Sequence, residues 1–154
     1  MQVTRAADYA VRVMVHMAGL PPGTRVQRHA LVELSDAPET FLSKVLQRLV
    51  ISGLLISQRG SGGGFELAVP ADAVSLLRVI ESVDGPILLN TCVEGARGCD
   101  RKTSCAVRSV WEDAQAALTK VLDGVSVARL SVQSALLAQQ AELEQVASVS
   151  ATGS

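Results

Sequence analysis

A chain of 154 residues, 48% of them hydrophobic, has room for one compact core plus an extension and is too short for two enzyme-sized domains. Only 3% of residues are aromatic, so the apolar material is Val, Leu, Ile and Ala, which suits helix-on-helix packing; a net charge of −1 neither requires nor excludes a polyanionic partner. The opening Met-Gln-Val-Thr-Arg is not an apolar leader and no window holds the roughly 20 apolar residues of a bilayer span, which predicts a cytoplasmic protein with no membrane partner.

Charge is unevenly spread. Residues 1–70 hold seven Lys/Arg against five Asp/Glu, and the remainder seven against ten, so a nucleic-acid face is permitted in the first half. Thr4 is a candidate N-cap for a first helix, with Ala10, Val13, Met14 and Met17 at helical spacing until Gly19-Leu20-Pro21-Pro22-Gly23. A second helix is predicted from about Gln27 to Leu34. A third is predicted from about Glu39 to Ser52, with Phe41, Leu42, Val45, Leu46 and Leu49 on one side and Gly53 as its stop.

Only Ser35, Asp36, Ala37 and Pro38 separate these two helices, which forces a sharp turn of the helix-turn-helix kind. On the third helix Thr40, Ser43, Lys44, Gln47 and Arg48 form the polar side, and this face offers donors and cations to a major groove; an ordinary solvated face has the same pattern. Residues 54–59 and 65–69 then read as two strands around Gly60-Ser61-Gly62-Gly63-Gly64. A helix-turn-helix followed at once by a glycine-tipped hairpin is the layout of a winged helix, in which Arg59 and the bare amides of Ser61, Gly62 and Gly63 can approach a phosphate backbone, with Arg28 at the second helix. The glycines are no nucleotide cradle: no Lys-Ser/Thr follows, and a strand rather than a helix comes next.

After Pro70 a helix is predicted over residues 73–83, closed by Gly85-Pro86. From Ser104, the positions Val107, Val110, Trp111, Ala114, Leu118, Val121 and Leu122 keep 3,4 spacing to Asp123-Gly124, which predicts the longest helix of the chain. Such a stripe needs cover. A second copy of the helix, making a homodimer, is the expected cover, and the alternative is a weaker helix over 132–147 laid across it. The expected fold is mainly α with a small β-hairpin wing. Its expected parts are a DNA-binding domain (1–72), a linking helix and cysteine loop (73–103), dimerisation helices (104–147) and a disordered tail (148–154).

The three cysteines, Cys92, Cys99 and Cys105, fall within 14 residues and include no Cys-x2-Cys pair of the kind that structural zinc sites use. A larger iron-sulfur cluster tolerates such spacing; redox-active free thiols and unrelated buried cysteines remain the other readings. Arg97, Arg101 and Lys102 stand beside the cysteines and would offset thiolate charge.

Several segments together resemble the Rrf2 family of winged-helix regulators: Thr4-Arg5 with Asp8-Tyr9-Ala10-Val11-Arg12, Phe41-Leu42 with Leu46 and Leu49, Gly53-Leu54-Leu55, Arg59-Gly60, and residues 62–68. The cysteine loop and the Trp111 helix resemble the cluster-binding branch, and the likeness extends over residues 1 to about 131. It implies a homodimer on a pseudo-palindromic operator in double-stranded DNA, the third helix in the major groove and wings on the backbone. It also implies an iron-sulfur cluster on Cys92, Cys99 and Cys105, of the 4Fe-4S kind with 2Fe-2S as the alternative. Some members place a histidine ligand three residues after the last cysteine; here Arg108 stands there, and a guanidinium cannot ligate. Other members use an aspartate early in helix one to reach the partner's cluster, and Asp8 corresponds; the bland reading of Asp8 is an acid well placed in a first helical turn. His16 and His29 read as ordinary imidazoles, and Asp36 occupies a turn position that many members give to glycine.

The functional expectation is a transcriptional regulator, in the main a repressor, and not an enzyme. Its DNA affinity would follow a cluster that senses nitric oxide, iron or cluster supply, or redox state. The same fold sensing oxidants by direct thiol chemistry is the first alternative, and a small electron carrier or enzyme a remote one.

Overall fold

The computed structural model describes residues 3–60, 62–90 and 104–151, with side chains up to residue 145. Helix α1 (Arg5–Ala18) starts where expected because the Thr4 hydroxyl accepts from the Ala7 N–H at 3.3 Å. Its 3,4-spaced Ala7, Ala10, Val13, Met14 and Met17 are buried, and α1 becomes the element around which the others pack. Helix α2 (Arg28–Ser35) and helix α3 (Glu39–Ile51) follow, joined by a turn in which Asp36 takes φ 53°. Asp36 is thus left-handed, as a residue standing in a glycine's place must be. Leu42, Val45, Leu46 and Leu49 of α3 enter the core with Leu31 of α2.

Gly53, at φ 70°, ends α3 and turns the chain into strand β1 (Leu55–Gln58), which pairs antiparallel with strand β2 (Gly64–Leu67) in the register Leu55 to Leu67 and Gln58 to Gly64. Val26, just before α2, exchanges two 2.9 Å hydrogen bonds with Phe65, and Arg25 pairs with Glu66 at 3.1 Å, so the hairpin is tied to the entry of α2. A short 3₁₀ turn (Ala71–Ala73) leads to helix α4 (Leu76–Asp84). Helices α5 (Arg108–Asp123) and α6 (Val127–Ala151) complete the order.

The structure departs from several of these expectations. The helix after Pro70 begins at Leu76 rather than 73, because Ser75 provides the cap and Val74 is held extended by accepting from the Val127 N–H. The longest helix is α6, with 25 residues against 16 for α5, and its backbone stays helical through 148–151 where a disordered tail is expected. The weaker helix does not lie across α5: α6 packs by its first turns on α1 and the 3₁₀ turn, and residues 132–145 are all exposed. The α5 stripe is split, with Leu118 and Leu122 against Ile80 and Ile87 while Val107, Val110 and Val121 stay in solvent. No break in packing occurs at residue 72, since Val74, Val79, Val83 and Val127 join the same core as α1 to α3.

Candidate nucleic-acid interface

At 100° per residue, the buried row of α3 leaves Thr40, Lys44, Gln47 and Ile51 at the centre of its outer face. Thr40, Lys44 and Gln47 are exposed, and Ile51 is 78% exposed, an apolar residue on a face read as polar. One flank of α3 faces the hairpin. There Glu39, Ser43, Gln47 and Val50 form one wall of a groove, Gln27, Arg28 and His29 line its α2 side, and Ser57, Gln58, Arg59, Gly60, Gly63, Gly64 and Phe65 form the other wall. Five residues singled out from the sequence therefore meet in one concavity: Arg28, Ser43, Gln47, Arg59 and Gly63.

The other flank of α3 is committed elsewhere. The Arg48 guanidinium donates to the Val83 carbonyl at the end of α4, and Arg48 is not among the residues that line the groove. Phe41, expected in the core, is 39% exposed and meets Tyr9 edge-to-face at 5.8 Å. Gly62 is exposed at the tip, and Ser61 lies outside the described residues. Gly63 and Gly64 are needed for close approach: a Cβ on Gly63 would stand 2.5 Å from the Gln58 carbonyl oxygen, and one on Gly64 2.7 Å from that of Val26.

Sequence reasoning missed Gln27, His29 and Glu39. The only sequence cue was position: the first turns of α2 and α3 are where a helix-turn-helix meets a duplex. At the start of α2, Gln27 makes no side-chain cap, so the first-turn N–H groups beside Arg28 and His29 are left for an anion or water.

Of the cysteines, Cys92 and Cys99 lie outside the described residues. Cys105 is a free, partly exposed thiol whose carbonyl accepts from the Arg108 N–H as α5 begins. Asp8 is half exposed in the first turn of α1 and pairs with Arg12 at 2.8 Å, while Arg108 pairs with Glu112 at 2.7 Å. Among the described residues no three His, Cys, Asp or Glu side chains group as a metal site. Among them, too, no helix is long and apolar enough to cross a membrane.

A turn-linked helix pair with a groove against a short antiparallel hairpin defines a winged-helix regulator of transcription. The family model described as "Iron-dependent Transcriptional regulator", Rrf2, matches residues 3–133. The HTH-type transcriptional regulator IscR of Aliivibrio salmonicida is 30% identical over 132 residues, covering 86% of this chain and 78% of the relative. Among solved structures, CymR, the global cysteine regulator of B. subtilis, superposes with TM-score 0.71 at 22% identity, covering 86% of this chain and 98% of that one. T. potens IscR does so with TM-score 0.67 at 23% identity, covering 87% and 88%. The chain belongs to the Rrf2 family, as a DNA-binding transcriptional regulator and not an enzyme.

Proposed function

We propose that the protein is a homodimeric repressor whose grip on a pseudo-palindromic operator is set by an iron-sulfur cluster on Cys92, Cys99 and Cys105, with Asp8 of the partner subunit as fourth ligand. The observation that carries this reading is the placement of Cys105, unpaired and partly exposed, at the entrance of a helix connected by contacts to the reading head. The chemistry of the described donors suits a cluster: the Cys105 thiol is free of any disulfide, and the Asp8 carboxylate is half exposed in a surface pair with Arg12. When bound, the cluster supplies a centre whose charge and ligation respond to oxygen, nitric oxide or iron supply.

The chain's own residues provide the route from that loop to DNA. The Gln115 amide of α5 donates to the Ile87 carbonyl at 2.7 Å, and its carbonyl accepts from the Leu89 N–H at 2.9 Å, fixing α5 on the segment after α4. At the end of α4, Asp84 accepts from the Thr4 hydroxyl at 2.6 Å, and the neighbouring Val83 carbonyl accepts from Arg48 of α3. A shift of α5 therefore bears on the start of α1, which carries Asp8, and on the flank of α3. Exposed Val110 and Val121 on α5, with Val107 just before it, give a second copy an apolar edge to cover. Gln47, Arg28, Arg59 and the wing tip would then hold each half-site, with two half-sites about one DNA turn, roughly 34 Å, apart.

Direct thiol sensing without a cluster is the second reading, favoured by the partial exposure of the Cys105 thiol. Anaerobic purification with iron and sulfide counts, followed by promoter binding of the protein before and after chelation, tests the first. Iron and sulfide in step, a dimer mass, and altered operator affinity on stripping are expected; a colourless protein free of sulfide that loses DNA binding on thiol oxidation establishes the second.

A further inference from the structure

Glu39 opens the recognition helix with a carboxylate, and it stands in line with Ser43 and Gln47, four residues apart on α3, all three lining the groove. The Ser43 hydroxyl donates to the Glu39 carbonyl at 2.9 Å, so it is occupied inside the helix. The Glu39 side chain is exposed, and among the described residues none of the ion pairs includes it, although Arg28 and Arg59 line the same groove.

A carboxylate in a groove that receives a duplex is repelled by phosphates and loses hydration on entry. A base-edge amine offsets that cost in a sequence-dependent way. In the major groove guanine presents two acceptors, thymine an acceptor and a methyl group, and adenine an amine beside an acceptor that would repel the second carboxylate oxygen. Cytosine presents its N4 amine alone. We infer that Glu39 is a specificity-determining residue that selects a cytosine at one position of each half-site by accepting a hydrogen bond from its N4 amine. The inference rests on the reading that this groove faces DNA.

A carboxylate at the first position of α3 also stabilises the helix electrostatically, whether or not DNA is present, and Pro38 before it supplies no side-chain cap. The test has to separate the two roles. Full-length protein is used to select duplexes from a randomised pool, and every single-base-pair change of the selected operator is then measured for wild type, Glu39→Gln and Glu39→Asp. Glu39→Asp keeps the charge and shortens the reach. Wild type is expected to prefer cytosine at one symmetric position by roughly 5- to 150-fold, the range for one good base contact. Both variants are expected to lose that preference there and keep it at all other positions, with unchanged melting temperature for Glu39→Asp.

An unchanged base profile in both variants overturns the inference, as does a uniform rise in affinity for all sequences in Glu39→Gln. Gln47→Ala and Arg59→Ala tell the two levels apart. If they weaken binding while Glu39→Gln leaves the profile intact, only the cytosine contact is wrong; if neither changes binding, the groove is not the DNA face and both readings fall.

Discussion

Replacing Gly64 by Ala is a direct test of how the wing is anchored. The new Cβ would lie 2.7 Å from the Val26 carbonyl oxygen and 3.0 Å from its carbon, and both are backbone atoms that cannot rotate away. Restoring an ordinary contact of 3.4 Å needs about 0.7 Å of separation. That movement stretches the paired Val26 and Phe65 hydrogen bonds, now 2.9 Å each, to the edge of what counts as a bond. Two such bonds contribute about 1–3 kcal/mol together, which in a chain of this size corresponds to a melting-temperature drop of roughly 2–12 °C. DNA affinity should fall as well, because β2 and the first residues of α2 line the same groove. Gly62→Ala is the matched control: it meets nothing within 4 Å and should change stability by less than about 0.5 kcal/mol. Thermal and urea denaturation of the two variants side by side, with operator titrations, decides the matter. If Gly64→Ala costs no more than Gly62→Ala, the bridge from Val26 to Phe65 does not hold the wing and the reasoning is wrong.

Asp36→Gly should stabilise the protein by up to about 1 kcal/mol by removing left-handed strain, and Asp36→Val should destabilise it, both read as shifts in urea midpoint. Leu46→Ala empties a fully packed site between α3 and α1 and should cost about 2–5 kcal/mol, seen by calorimetry. Asp8→Ala breaks only an exposed pair on one helix, so it should change the stability of the cluster-free protein by no more than about 0.5 kcal/mol. Under the proposed ligation the same variant should release iron and sulfide faster than wild type; equal rates of loss would remove Asp8 from the ligand set.

Local signals were read well where one residue type has one structural use. The 3,4 spacing of Ala10, Val13, Met14 and Met17 required α1, Thr4 supplied its cap, and Gly53 the stop of α3. The run Gly60-Ser61-Gly62-Gly63-Gly64 announced the hairpin, and close backbone approach excludes a Cβ at Gly63 and Gly64. The departures lie where two faces of an element look alike in sequence. Phe41 and Arg48 sit side by side on the flank of α3, and nothing in their own segment says that one meets Tyr9 and the other the Val83 carbonyl. The stripe of α5 reads as one seam, yet among the described residues it is Leu118 and Leu122 that pack on the cluster of Ile80 and Ile87, because burial depends on where α4 and the segment after it present those side chains.

The sequence by itself determined the order of helices and hairpin, the family, and the residue types available for DNA and for a cofactor, since periodicity, caps and turn residues act over a few positions along the chain. Only the tertiary structure decided which side of α3 faces the wing, that Arg28, Ser43, Gln47, Arg59 and Gly63 share a groove with Glu39, and that α4 joins the cysteine-loop side to both α1 and α3. Those choices are made by contacts between residues 35 to 80 positions apart, such as Arg48 with Val83 and Thr4 with Asp84, and such contacts leave no periodic trace in either segment.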